Sequence, residues 1–492
     1  MRAIFFRLCL LIIPVIVGCE QQEEEILTTI QILQNQGDFT AADSLIKTYV
    51  QENKPLSENL HRKLMFELER SKRIRNDYRL SEAELMSALQ KRMSDFSETE
   101  FRQWENEDRF DILIIDGNKR FANPSVSNLF FRYPELRRRR KNYTTYSQTA
   151  RLVFAQAQEL KAMAGTNPDQ VRLPRPCRVR QSIMLKENKV PIGETVFCWL
   201  PYPSVFQTQG DVKFITSSHN PVWLDHPASK IRSVHLQAPV PDKGDLYFFI
   251  EYEYTAYAYY QEIDPGKVIS FNQEESIYRD FTSEENPHEV FTPELMSLSA
   301  RIVGDETNPY LKAQRIYNWL ADSIKYSYAR EYSTLRNISA YCYKNRFGDC
   351  GQAAILFITM CRIAGIPARW QSGFFTFPDD EGMHDWAEIF IKPYGWLPVD
   401  IYMGMFFTSM TEDLLPAQRM EMRDFYFGNI DHYRLVANKG HNQLLYPPKK
   451  HFRSETVDFQ RGEIEWAEAN LYFTDWRWRI VVNDITNKKS GN

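Results

Sequence analysis

The sequence predicts a multidomain α+β protein in which a helical region, a β-sandwich and a mixed α+β domain follow one another. Three observations carry that expectation. A chain of 492 residues is long enough for about three ordinary domains. Its apolar pattern changes period twice, from helical spacing to strand-like runs after residue 165 and back to helices after residue 290. Aromatic residues make up 14%, with 26 Tyr and 32 Phe, a load that suits strands and packed cores or a carbohydrate-binding face. With 43% hydrophobic and 25% charged residues, the chain is neither mostly disordered nor a polytopic membrane protein. Its 60 basic residues stand against 64 acidic ones, for a net charge of −4, so no nucleic-acid partner is expected.

Residues 1–18 read as a signal peptide. Arg2 and Arg7 precede an apolar run from Leu8 to Val17, about ten residues and too short to span a bilayer. The run ends in Ile16-Val17-Gly18-Cys19. This resembles a bacterial lipoprotein signal, which implies cleavage before Cys19 and lipidation of that residue. The acidic stretch Glu20 to Glu25 resembles the tether of surface-displayed lipoproteins. The expected location is the cell envelope, at the outer membrane and surface-exposed, with the membrane reached through the N-terminal lipid. Of seven Cys, five remain after Cys9 and Cys19. Cys177 and Cys198 sit in neighbouring strand-like segments and are either paired or two buried thiols.

Residues 19–165 form the helical region. Ile26, Ile30 and Leu33 recur at helical spacing, Gly37-Asp38-Phe39 breaks the helix, and Ala41, Ala42, Leu45 and Ile46 start another. One such hairpin cannot make a solenoid, so it is expected to pack on a neighbour. Residues 166–290 form the sandwich. Val179–Leu185, Val196–Leu200, Ile231–Leu236 and Asp245–Tyr254 read as strands punctuated by Pro and Gly, a pattern that suggests an immunoglobulin-like fold. The Tyr-rich last strand is expected to be buried on both faces.

Residues 291–410 hold the chemistry. Asn308-Pro309 starts a helix carrying Tyr310, Ala313, Ile316, Tyr317 and Leu320 at helical spacing. A second helix opens at Gly348-Asp349-Cys350-Gly351-Gln352, is apolar nearly all round and ends at Gly365. Cys350 at its start lies where unpaired N–H groups and the helix dipole favour a thiolate, which makes it a nucleophile candidate. His384-Asp385-Trp386-Ala387-Glu388-Ile389 opens a strand, and a turn at Lys392-Pro393-Tyr394-Gly395 returns the chain through Trp396-Leu397-Pro398-Val399-Asp400. His384 and Asp400 must share a face to hydrogen-bond. Their even sum requires an odd number of loop residues or a bulge.

These stretches together resemble the transglutaminase-like superfamily, the papain-related acyl-transfer enzymes. The resemblance covers about a quarter of the chain. It implies a papain-like α+β catalytic domain with Cys350 as nucleophile, His384 as general base and then acid, and Asp400 as orienter. The family usually supplies an oxyanion donor from a side chain upstream of the Cys, for which Tyr341, Tyr328 and Trp319 are candidates. Glu388 belongs to the signature in a structural role. The expected activity is acyl transfer on a peptide, protein or glycopeptide substrate, with hydrolysis favoured over cross-linking to an amine. The alternative is an inactive cell-surface binding or assembly module. No CxxC, HExxH or EF-hand loop is present, so neither metal nor other cofactor is expected. Residues 411–492 form a C-terminal β-rich extension, expected to complete or cover the catalytic sheet.

Overall fold

The computed structural model describes residues 23–51, 57–164, 170–378 and 380–485. The signal segment and Cys19 lie outside the described residues. The chain divides into two compact units, at Tyr143. In the first, residues 23–36 are helical, followed by helices Phe39–Gln51 and Glu58–Asp77. Ile26, Ile30, Ala42 and Ile46 of the expected hairpin share one core with Leu60 and Leu64 of the third helix. The hairpin is therefore covered from within its own unit. No helix of the described residues is long and apolar enough to cross a membrane.

The second unit begins with helix Gln148–Ala164, which sequence reading places with the N-terminal helices. Its Ala150, Val153, Ala157 and Leu160 instead pack with Phe407, Phe425 and Tyr426. Two sheets follow. Strands β1 (Val171–Leu185), β2 (Thr195–Pro201), β3 (Gln209–Ser217), β4 (Ser233–Pro239) and β5 (Tyr247–Tyr259) precede the catalytic region. Strands β6 (Ala368–Phe377), β7 (Asp380–Ile391), β8 (Gly395–Val399) and β9 (Arg434–Asn438) lie within or after it, and β10 (Glu463–Trp466) and β11 (Trp476–Asp484) come last. One sheet runs β11-β1-β5-β3. The other contains β10-β2-β4, flanked by the short strands Asn470–Leu471 and Trp223–Leu224. Cys177, Val179, Phe248 and Tyr252 of the first meet Val196, Cys198, Leu236 and Ile464 of the second in a single core. Cys177 and Cys198 are both free and buried there.

Two expectations change here. The C-terminal stretch completes the catalytic sheet with one strand only, β9, while β10 and β11 pair into the two sandwich sheets. The sandwich is thus built from residues far apart in the chain, which local patterning does not reveal. The Tyr-rich strand β5 is buried on both faces only in its second half. In its first half Glu251 and Glu253 face outward and pair with Arg180 and Arg178 across the strand.

The catalytic sheet runs β8-β7-β6-β9, all antiparallel. Helix α1 (Cys350–Ile363) packs on it through a core that includes Ala354, Ile358, Trp370, Ala387 and Ile389. The helix forms where expected, with the Asp349 side chain capping it by accepting the Gln352 N–H. Its near-uniform apolarity is explained by burial of every residue from Cys350 to Arg362.

Candidate active site

The hairpin between β7 and β8 resolves the facing question. Ile391 pairs with Gly395 and Ala387 with Val399, so the loop is Lys392-Pro393-Tyr394 and its length is odd. Extending that register places Asp400 level with Trp386, two residues from His384 and on the same face. His384 lies inside β7 rather than at its opening, opposite Gly373 of β6. Its Nε2 lies 2.8 Å from Asp400 Oδ2, and both side chains are buried.

Asp400 has a second task that sequence reading missed. It caps helix α2 (Ile401–Ser409), with Oδ1 accepting the Met403 N–H at 3.0 Å. The Arg434 guanidinium of β9 also pairs with Asp400 Oδ2 at 3.0 Å and with Asp431 Oδ2 at 2.7 Å. Burial works to raise the Asp400 carboxyl, but the neighbouring His384 that hydrogen-bonds it, the Arg434 charge and the Met403 N–H hold it below its ordinary value. The imidazole stacks on Phe375, ring centroids 3.6 Å apart, and the Arg434 guanidinium lies over the same Phe375 ring at 4.4 Å, so the three form a row. Gly373 makes this row possible. A Cβ there would stand 1.8 Å from the Leu435 carbonyl oxygen, so only glycine lets β9 approach.

Cys350 sits at the N-terminus of α1 beside β7. Its thiol donates to Asp385 Oδ2 at 3.7 Å and not to the His384 ring. The ring is held instead by Asp400 and Phe375. A Cβ on Gly351 would lie 2.2 Å from the Tyr332 hydroxyl and 2.7 Å from Asp385 Oδ2, so glycine permits this close approach of helix to strand. The expected thiolate bias is reversed. Burial first, then the carboxylates of Asp385 and Asp349, push the thiol up. Burial also lowers the His384 imidazole, more than Asp400 raises it. The resting pair is a neutral thiol and a neutral imidazole.

Cys350 and His384 line one cleft of about 670 Å³. Of the three oxyanion candidates, Tyr328 lines it. Trp319 lies under the Arg346 guanidinium and Tyr341 packs edge-on against Phe347, and neither reaches the cleft, because their helical phase turns them elsewhere. Glu388 accepts from Arg369 at 2.6 Å and Gln371 at 2.7 Å, bonds that tie β7 to β6.

Residues 296–401 match the family model described as the transglutaminase-like superfamily. This segment is a transglutaminase-like domain. The match includes Cys350, His384 and Asp400. An uncharacterized protein of Haemophilus influenzae is 25% identical over 181 residues, 30% of this chain and 46% of that protein, so the chain spans about half the length of that relative. Among solved structures, a candidate cysteine protease from Cytophaga hutchinsonii aligns over 65% of this chain and 94% of its own, at 15% identity and a TM-score of 0.41. The periplasmic domain of TgpA from Pseudomonas aeruginosa aligns over 51% and 93%, at 15% identity and a TM-score of 0.26.

Several residues around the transglutaminase-like domain escaped sequence reading. Gln460 donates to Asp385 Oδ1 at 2.8 Å and to the His384 carbonyl at 3.1 Å. Glu455, Asp458 and Arg461 line the same cleft. Away from it, Glu285, Glu289 and His441 come close enough together to hold a metal ion. Their charge is already met: Arg362 pairs with Glu289 at 2.5 Å and His441 with Glu289 at 3.0 Å.

Proposed function

We propose that the protein is an exported, lipid-anchored cysteine enzyme that transfers the acyl group of a peptide or protein amide to water through Cys350, His384 and Asp400. The observation that carries this reading is the 2.8 Å bond from His384 to Asp400 on the strand that borders Cys350 in one cleft. With Asp400 ionised, Nε2 carries the imidazole proton and Nδ1 is the basic atom. Nδ1 takes the thiol proton as sulfur bonds to the amide carbon. The oxyanion is met by the Cys350 N–H at the positive end of α1, with Tyr328 as the side-chain candidate. The tetrahedral intermediate then expels the amine, which leaves with the proton from Nδ1, and a thioester remains. His384 next deprotonates water, which attacks the thioester, and the acid departs as the thiol is restored. Buried neutral partners suit a proton transfer concerted with attack, rather than a preformed ion pair.

Hydrolysis is preferred over cross-linking because the cleft mouth is open at Tyr328 and Met383, which are 48% and 39% exposed, so water reaches the thioester. The test is mass spectrometry of a peptide and glycopeptide mixture incubated with the enzyme, with and without added primary amine. Cleavage lost in Cys350→Ala is expected. Amine adducts in place of cleavage would reassign the enzyme as a cross-linking one, and an unchanged mixture would favour a binding module. For the anchor, Cys19→Ser should release the protein from membrane fractions. Unchanged partitioning would defeat lipidation.

A further inference from the structure

The acidic lining of the cleft differs from an ordinary ion-pair network in one respect: its charges do not balance. Arg461 is one of two cations that line it, and that guanidinium is already shared. It donates to Glu331 at 3.0 and 2.7 Å and to Glu455 at 3.2 and 3.0 Å. Asp349 is engaged as the helix cap and accepts the Tyr332 hydroxyl at 2.7 Å. Among the described residues Asp385 and Asp458 form no ion pair, and Arg330, the second cation lining the cleft, donates to the Thr334 carbonyl at 3.1 Å. Asp385 receives a neutral amide N–H from Gln460 and the Cys350 thiol. Asp458 is 6% exposed and lines the cleft; its carboxyl hydrogen-bonds with that of Glu455, and its buried Oδ1 receives no N–H or O–H from the described residues. A buried carboxylate in that state is costly unless something compensates it. Burial, then Glu455 and Asp385, push the Asp458 carboxyl well up.

We infer that the substrate carries a primary ammonium group close to the reacting carbonyl, and that Asp458 and Asp385 form the subsite that holds it. This rests on the acyl-transfer reading above and adds a substrate class to it. An ammonium is compact and carries three donors, enough to satisfy the unpartnered Asp458 oxygen and an Asp385 oxygen together. A metal ion fits less well. Asp385, Glu455 and Asp458 do not converge within shared ligand distance as the Glu285, Glu289 and His441 group does. Asp385 Oδ2 is 3.7 Å from the sulfur. A charge-assisted bond of about 2.9 Å then places the ammonium nitrogen within about 7 Å of the sulfur. That reach suits the α-amino group of a terminal residue or a short amino side chain next to the scissile amide.

The test reads charge preference at Cys350 without requiring turnover. Methanethiosulfonates bearing an aminoethyl, a sulfonatoethyl or a methyl group each transfer their thioalkyl group to the thiolate and release methanesulfinate, leaving a mixed disulfide. Rates at Cys350 are followed by peptide mass spectrometry and divided by those of free cysteine with the same reagents. The aminoethyl reagent should outpace the sulfonatoethyl one by at least about tenfold after that correction, as expected for a cleft that concentrates cations. Asp458→Asn and Asp385→Asn should each cut the preference by about threefold or more, and Asp458→Glu should retain it. A corrected preference within about twofold of free cysteine in the native enzyme overturns the subsite, whatever the variants do. A preference unchanged in both Asn variants overturns the assignment to these residues. If Cys350 reacts with none of the reagents, the acyl-transfer reading fails with it. A lost preference at a reactive Cys350 sinks the ammonium subsite alone.

Discussion

His384 and Asp385 are neighbours on β7, yet the groups around them handle charge in opposite ways. Around His384, Asp400 and Asp431 are matched by Arg434, and Asp400 also accepts the Met403 N–H. Each of these carboxylates is in contact with the Arg434 cation, and the aromatic rings of Phe375 and Trp386 wall the group in. Around Asp385, acids outnumber cations and one carboxylate oxygen lies unpaired. The balanced side fixes a geometry. The unbalanced side is reserved for something that arrives. The same distinction sets the pKa directions: Asp400 is held low, while Asp385 and Asp458 are pushed up.

Three substitutions test that contrast, the largest effect first. Asp400→Asn keeps an N-cap side chain for α2 but loses the charge that fixes the His384 tautomer. Turnover should fall by about 10³-fold or more, with an unchanged circular dichroism spectrum. A kcat/KM within about threefold of the native enzyme would remove Asp400 from the reaction. Arg434→Met deletes the cation shared by two buried acids. Urea unfolding should show a loss of about 3–5 kcal/mol. A loss under about 1 kcal/mol would mean that this side is not held by charge matching.

Asp349→Asn probes the other side. Burial above all pushes the Asp349 carboxyl up to about 6, from an ordinary 3.8. The folded state therefore holds this proton more tightly than the unfolded chain. The stability it contributes is complete below about pH 4 and is lost as pH rises through about 6. The Asn variant should be the more stable at pH 7, by roughly 1–3 kcal/mol, and the gap should close towards pH 4. A variant less stable than the native protein at pH 7 would show that the carboxylate is compensated after all.

The parts of this site legible in the sequence are those set by local rules. Asp349, Cys350 and Gly351 mark a helix start, and the parity of His384 and Asp400 dictates an odd loop. Tyr328 could not be separated from Tyr341 and Trp319, because the helix containing Tyr341 and the one containing Trp319 have no facing assignment until they pack. Arg434, Asp458, Gln460 and Arg461 were invisible for a different reason. Each joins the site by a strand or loop that returns from the C-terminal region, and no short-range period encodes that return. The thiol's raised pKa was also beyond local reading. The helix dipole is written at Cys350, whereas the acids that oppose it come in part from a separate strand.

The late arrival of β9 gives chain order a consequence. A nascent polypeptide that has emerged as far as residue 401, where the family match ends, already contains Cys350, His384 and Asp400. It lacks the guanidinium that neutralises Asp400 and the β9 edge that closes the sheet beside His384. Strands β10 and β11, which finish the two sheets of the sandwich, come later still. A chain interrupted between Asp400 and Arg434 therefore carries all three proposed reacting groups without the cation and the strand that brace them, and the site is complete only when the last segment has folded.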